Sequence, residues 1–195
     1  LGDVYKRQFI DGTAELLPNY TLEKLMHGCF EEVGVPKCTA EELEYAAALK
    51  ATYPPERDVP GIGAKFDAGI AKQVKALSEN MTKPVYDFLM PQYSGEGFRP
   101  GSTDVGDVSW QTPTAQIEVA AWPAGVPGHS WQIVACGKSS MAHKAMLCAG
   151  KVIASAAIEL LEQPALLEKA KSEFKERSAS GYVCPIEPDA IPIAL

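Results

Sequence analysis

The sequence predicts an α/β fold, and two kinds of repeat predict it. Thr114 to Trp122 alternates Ala115, Ile117, Val119 and Ala121 against Gln116 and Glu118, the two-residue period of a strand with one wetter face. Trp131 to Cys136 (WQIVAC) is a short apolar run after a Pro-Gly turn, which reads as a second, buried strand. Elsewhere, apolar residues recur at three- and four-residue spacing, the period of amphipathic helices. Strands mixed with helices define the class.

Taken in order, Leu1 to Gln8 carries no pattern and is given no fold weight; it reads as a terminal scar. Phe9 to Leu17 reads as a strand remnant, ended by a turn at Pro18-Asn19. Leu22, Leu25, Met26, Cys29, Phe30 and Val33 share one face of a first helix, stopped by Gly34 and Pro36. Thr39 and Glu42 form a T-x-x-E capping box, in which each side chain satisfies an amide of the first turn of a second helix. Pro54-Pro55 ends that helix, and residues 52–69 read as an irregular loop. Ile70, Val74 and Leu77 mark a short helix, and residues 91–113 form a second Gly/Pro/Ser-rich loop. After the two expected strands, a long helix runs from His143 to about Leu161. Its expected apolar stripe is Met146, Ala149, Val152, Ile153, Ala156, Ala157, Leu160 and Leu161. Pro164 starts a last helix with Lys169–Glu173 and Glu173–Arg177 at i,i+4 spacing. Gly181 ends it, and the Pro-rich tail from Cys184 reads as an extended strap.

The chain has 195 residues, room for one sizeable core, and 46% of them are hydrophobic. A net charge of −7 and a pI near 5.0 argue against a nucleic-acid partner and against polybasic membrane contact. No apolar run is long enough to span a bilayer. Of the five cysteines, none forms a C-x-x-C pair, which excludes a zinc ribbon and a thioredoxin motif. Cys29, Cys136 and Cys148 fall inside apolar patterns and read as small buried hydrophobes in a reducing cytoplasm.

Four residues stand out for chemistry. The run 101–109 (GSTDVGDVS) is the densest polar cluster. Small residues let a ligand approach the backbone, and the hydroxyls and carboxylate of Ser102, Thr103 and Asp104 suit an amide or carboxylate substrate. The same residue types also build turns for their own backbone, and the turn is the favoured reading on the residues alone. His143 opens the long helix. Neutral imidazole is a common metal ligand. A helix N-terminus repels a cation, so a metal there needs carboxylates nearby; otherwise His143 is a structural cap. His129 reads as a turn histidine and His27 as a solvated one. There is no G-x-S-x-G, H-E-x-x-H, P-loop or G-x-G-x-x-G.

Taken together, TAELLPN (13–19), GSTDVGDVSW (101–110), PGHSW (127–131) and AHKAM (142–146) resemble bacterial amidohydrolases of the two-metal aminoacylase and carboxypeptidase family. The resemblance runs from about residue 9 to 187, and it is strongest to the aminobenzoyl-glutamate-cleaving members. It implies the C-terminal half of an aminopeptidase-like α/β catalytic domain. Residues 1–18 would then be a scar plus the last strand of the inserted lid or dimerisation domain, and 19–195 the returning catalytic part. The implied reaction is hydrolysis of an N-acyl amino acid amide, such as p-aminobenzoyl-glutamate. It would use a pair of divalent metals, zinc or manganese, and a glutamate that takes the water proton. By position His143 would be the last metal ligand, and Ser102, Thr103 and Asp104 would line the substrate. The remaining ligands and the catalytic glutamate belong to the family's N-terminal half. The expected partners are therefore that half, a small N-acyl amino acid, and a homo- or hetero-oligomer through the lid. The chain alone is expected to be inactive, with exposed apolar surface where the other half packs. The alternatives are a non-catalytic α/β binding module and one piece of a split enzyme.

Overall fold

The structure is a computed structural model that describes residues 12–54, 68–94, 101 and 103–189. Among these the regular elements are helices: α1 Tyr20–Val33, α2 Ala40–Lys50, α3 Ala68–Glu79, α4 Val105–Ser109, α5 Trp131–Cys136, α6 Ser140–Glu162 and α7 Pro164–Arg177. One 3-10 turn, Ser178–Ser180, follows α7.

Local signals place most of these ends. Asn19 caps α1 by accepting from Leu22 N (3.1 Å), while its Nδ2 donates to Ala170 O of α7 (2.9 Å). The capping amide, 2% exposed, thus also fastens α1 to α7. Glu173 strengthens that joint. It accepts from Tyr20 N (2.7 Å), Thr21 N (2.9 Å), Thr21 Oγ1 (2.7 Å) and Arg177 Nε (3.1 Å). Burial would raise its pKa, but the donors from Thr21, Tyr20 and Arg177 outweigh it and hold the carboxyl below its ordinary range. The Glu173–Arg177 pair forms as the spacing predicts, whereas Lys169–Glu173 is replaced by Lys171–Glu168 at 2.8 Å. Gly34 closes α1 with φ 74, a value that favours glycine. The capping box of Thr39 and Glu42 is present on both sides. Pro164 occupies the first turn of α7.

Two apolar clusters hold the helices. Cys29 and Phe30 of α1 meet Cys148, Val152 and Ala156 of α6, with Ile117 and Val119 packed alongside. Ala46 and Leu49 of α2 meet Val85, Cys136 and Met141. Burying each large side chain contributes about 1.5–3 kcal/mol.

The α/β expectation is corrected here. No sheet forms among the described residues, which pair only in an isolated antiparallel bridge, Val85 with Pro123. Trp131–Cys136 is a helix, capped by Ser130 (Ile133 N to Oγ, 3.5 Å). It buries Gln132 and Cys136 and turns Trp131 and Val134 outward, at 60% and 79% exposed. A six-residue apolar run has no period that separates helix from strand. A helix closes its hydrogen bonds internally, whereas a strand needs a neighbour. Residues 114–121 are extended with Gln116 and Glu118 exposed, so the alternation is real, but the segment lies in no ladder. Of the expected N-terminal strand, residues 9–11 lie outside the described residues, and Gly12 to Leu17 is not a strand.

α6 also differs from its predicted facing. Its buried positions are Met141, Ala145, Cys148, Val152 and Ala156. Met146, Leu147, Ile153, Ile158 and Leu161 are exposed, by 53% to 81%. The helix is therefore apolar on two opposite sides, and α1 covers one of them. No helix among the described residues is long and apolar enough to cross a membrane.

All five cysteines are free, with Cys29, Cys136 and Cys148 buried and Cys184 exposed. Burial pushes the Cys136 and Cys148 thiols up in pKa, away from the reactive thiolate. Native-state labelling with a maleimide followed by peptide mapping is expected to modify Cys184 first. Fast modification of Cys136 would contradict the packing of α5 on α2.

Candidate functional site

The mouth of α6 is built around a buried carboxylate. Glu42, 7% exposed, closes the α2 capping box by accepting from Thr39 N (2.7 Å). It also accepts from Ser140 Oγ (2.6 Å) and Lys144 Nζ (2.7 Å), both in the first turns of α6. Lys144 donates further to Lys37 O (3.2 Å). The hydrogen bonds from Lys144, Ser140 and Thr39 overcome burial and hold the Glu42 carboxyl at about 2, against an ordinary 4.5. Ser139, the N-cap, accepts from Ala142 N (3.2 Å), and His143 N donates to Ser139 O (3.1 Å). The backbone under His143 is thus pinned from both sides. Its imidazole is exposed and makes no hydrogen bond among the described residues, so the cap is Ser139 and not His143. It opens the outward apolar side of α6, the side of Met146 and Leu147.

The predicted polar loop divides its labour. Ser102 lies outside the described residues. Thr103 and Asp104 are exposed. Thr103 O accepts from Gly106 N (3.0 Å) and its Oγ1 from Val105 N (3.4 Å), while Asp104 heads α4 without a side-chain cap. Three residues further on, the side chains turn inward and hold the chain together. Both Asp107 carboxylate oxygens accept from Ala14 N (3.3 Å each), and Oδ1 accepts from the Tyr182 hydroxyl (2.7 Å). Ser109 Oγ accepts from Leu17 N (2.8 Å) and donates to Gly106 O (2.5 Å). Trp110 Nε1 donates to Glu15 O (2.9 Å), and its ring lies 6.2 Å from that of Tyr182. The hydrogen bond to Asp107 pushes the Tyr182 phenol up in pKa. The sequence marks this run as polar, but not that Asp107 and Ser109 serve residues more than ninety positions away.

The other histidines are structural. His27 Nε2–H donates to Met90 O (2.8 Å), and Nδ1 stands 3.7 Å from Glu31. It ties the segment around residue 90 to α1, a correction to the solvated residue expected. His129 sits in an exposed turn with φ 53, as its turn reading requires. A groove of about 800 Å³ between α1 and α7 includes Lys24, Lys169, Glu173 and Arg177; none of the predicted site residues lines it.

No group of three or more His, Cys, Asp or Glu side chains among the described residues could hold a metal ion. His143 is one accessible nitrogen on a rigid helix, and alone it does not make a metal centre.

The chain is 32% identical to a subunit of the p-aminobenzoyl-glutamate hydrolase of Escherichia coli (strain K12) over 192 residues. The match takes in 96% of this chain and 39% of that relative, so the chain spans about two fifths of the relative's length. No protein-family profile matches the chain, and no solved structure matches it.

Proposed function

We propose, from kinship with a p-aminobenzoyl-glutamate hydrolase polypeptide, that this chain is the C-terminal part of an amidohydrolase cleaving an aminobenzoyl-type amino acid amide. The match along nearly the whole chain carries the reading. In the complete protein a divalent metal pair, zinc or manganese, would polarise the amide carbonyl. This chain would contribute His143 as one ligand, and Thr103 and Asp104, with Ser102, to the substrate side. No step is assigned to the metals, since the described residues hold no ligand cluster. What the chain's own residues do is hold and aim. Glu42 locks the first turns of α6 through Ser140 and Lys144, which fixes the helix under His143. The relative's description as one subunit of a hydrolase supports an enzyme that works with further polypeptide.

The test is a chimera: the Escherichia coli relative with its matched stretch exchanged for this chain, assayed for release of p-aminobenzoate alongside the isolated chain. The chimera is expected to turn over, and to lose about a hundredfold or more in rate on His143→Ala, as loss of a metal-ligand system does. The isolated chain is expected to show no turnover. Full activity in the His143→Ala chimera would remove the histidine from the site. Turnover by the chain alone would overturn the fragment reading.

A further inference from the structure

α6 is apolar on two opposite sides, and only one is packed. The buried side meets α1; the other carries Met146, Leu147, Ile153, Ile158 and Leu161, all more than half exposed. Between them stand Gly150, Ala154 and Ala157, small enough for close approach of another backbone. From His143 to Leu161 the stripe runs about 27 Å at about 1.5 Å per residue, with charged side chains only along its edges. Single exposed apolar residues are ordinary on a surface. Five large ones in register on one helix form a patch of the kind that marks an interface, and a helix apolar all round belongs in a buried setting.

We propose that this outward stripe of α6, beginning at His143, is the seat on which the unmatched part of the parent hydrolase packs, covering the helix and reaching the histidine together. The inference rests on the reading above and adds the surface through which the two parts join. More than half of the relative's length lies outside the match, which is enough polypeptide to cover such a stripe. A lipid surface fits less well. The edges of α6 mix Lys144 and Lys151 with Glu159 and Glu162 in a chain of net charge −7, without the cationic rim that anionic headgroups attract. A second copy of this chain is the other apolar partner, and the experiment separates it.

The double variant Leu147→Glu with Ile158→Glu is made in the isolated chain and in the wild-type chimera described above. In the isolated chain both sites face solvent, so the melting temperature is expected to stay unchanged. In the chimera the same pair is expected to lower it by roughly 8 °C or more, because the charges become buried. In parallel, an Ile153→Cys thiol in a Cys184→Ser background is expected to react with maleimide at least about tenfold more slowly in the chimera than in the isolated chain. Equal melting shifts and equal labelling would overturn the proposal, as would a chimera that does not fold. Dimerisation of the isolated chain through the stripe, with the thiol still reactive in the chimera, would assign the seat to a second copy and overturn it too. Activity is a separate readout. A protected thiol in an inactive chimera keeps the interface and removes the hydrolase reading; an active chimera with a reactive thiol does the reverse.

Discussion

Replacing Glu42 by alanine is expected to lower the unfolding free energy by about 2–3 kcal/mol at pH 7. The carboxylate is 7% exposed and takes three hydrogen bonds, from Thr39, Ser140 and Lys144. Its loss leaves the α2 capping box open, the Ser140 hydroxyl without its acceptor and the Lys144 ammonium beside an apolar cluster. Lys144 is 38% exposed and can turn to water, which keeps the figure below that of a fully buried pair. For a chain of this length the loss corresponds to a melting shift of roughly 8 °C. Glu42→Gln should fall between, since an amide can still accept from Ser140 but carries no charge for Lys144. The pH dependence has a defined sign. The folded pKa of about 2 lies below the ordinary 4.5, so the contribution is fully present above about pH 4.5 and is lost as pH falls towards 2. Glu173, also lowered, adds in the same direction. Urea unfolding of the wild type and Glu42→Ala at pH 7 and at pH 3 measures both effects. The gap between them should narrow at the lower pH. A variant within about 0.5 kcal/mol of wild type at pH 7 would mean that the Glu42 network contributes nothing net.

Gly106→Ala is expected to cost about 2–4 kcal/mol, a large penalty for one methyl group. A Cβ at Gly106 would stand 2.1 Å from the carbonyl oxygen of Ala14 and 3.1 Å from its carbon. The obstacle is backbone, so no rotamer relieves it. The segment around Ala14 must lift from α4, and with it go the hydrogen bonds from Ala14 N to Asp107, Leu17 N to Ser109 and Trp110 Nε1 to Glu15 O. Three readouts should move together: the urea midpoint, the near-ultraviolet dichroism of Trp110, and protease sensitivity of residues 12–18. Gly150→Ala is the control. Gly150 is an exposed helical glycine with open space where the methyl would sit, and the change should stabilise by about 0.5–1 kcal/mol. If Gly106→Ala behaves like Gly150→Ala, the close approach of the N-terminal segment to α4 is wrong.

Features that depend on neighbours in the sequence were legible in it. The capping box of Thr39 and Glu42, the start of α7 at Pro164, the stop at Gly34 and the amphipathic face of α1 need only residues a few positions apart. Their hydrogen bonds and faces close within the element itself. The candidate site was legible to the same degree. His143 does stand in the opening turns of a helix, and Thr103 and Asp104 do lie exposed before one. Tertiary structure decided what depends on residues far along the chain. Residues 114–121 kept the alternation of a strand but found no neighbour to hydrogen-bond, so the expected sheet is absent among the described residues. WQIVAC, with no period to commit it, became the helix α5, whose hydrogen bonds need no partner. Asp107, three residues past the residues predicted to bind substrate, was drawn into holding Ala14 and Tyr182. On α6 the composition showed that the helix is apolar, and only the position of α1 selected which side is buried. Local patterns record what a segment can form, and burial and pairing record what it meets. The outward side of α6 has the pattern of a buried face, and its facing was set by packing against α1 alone.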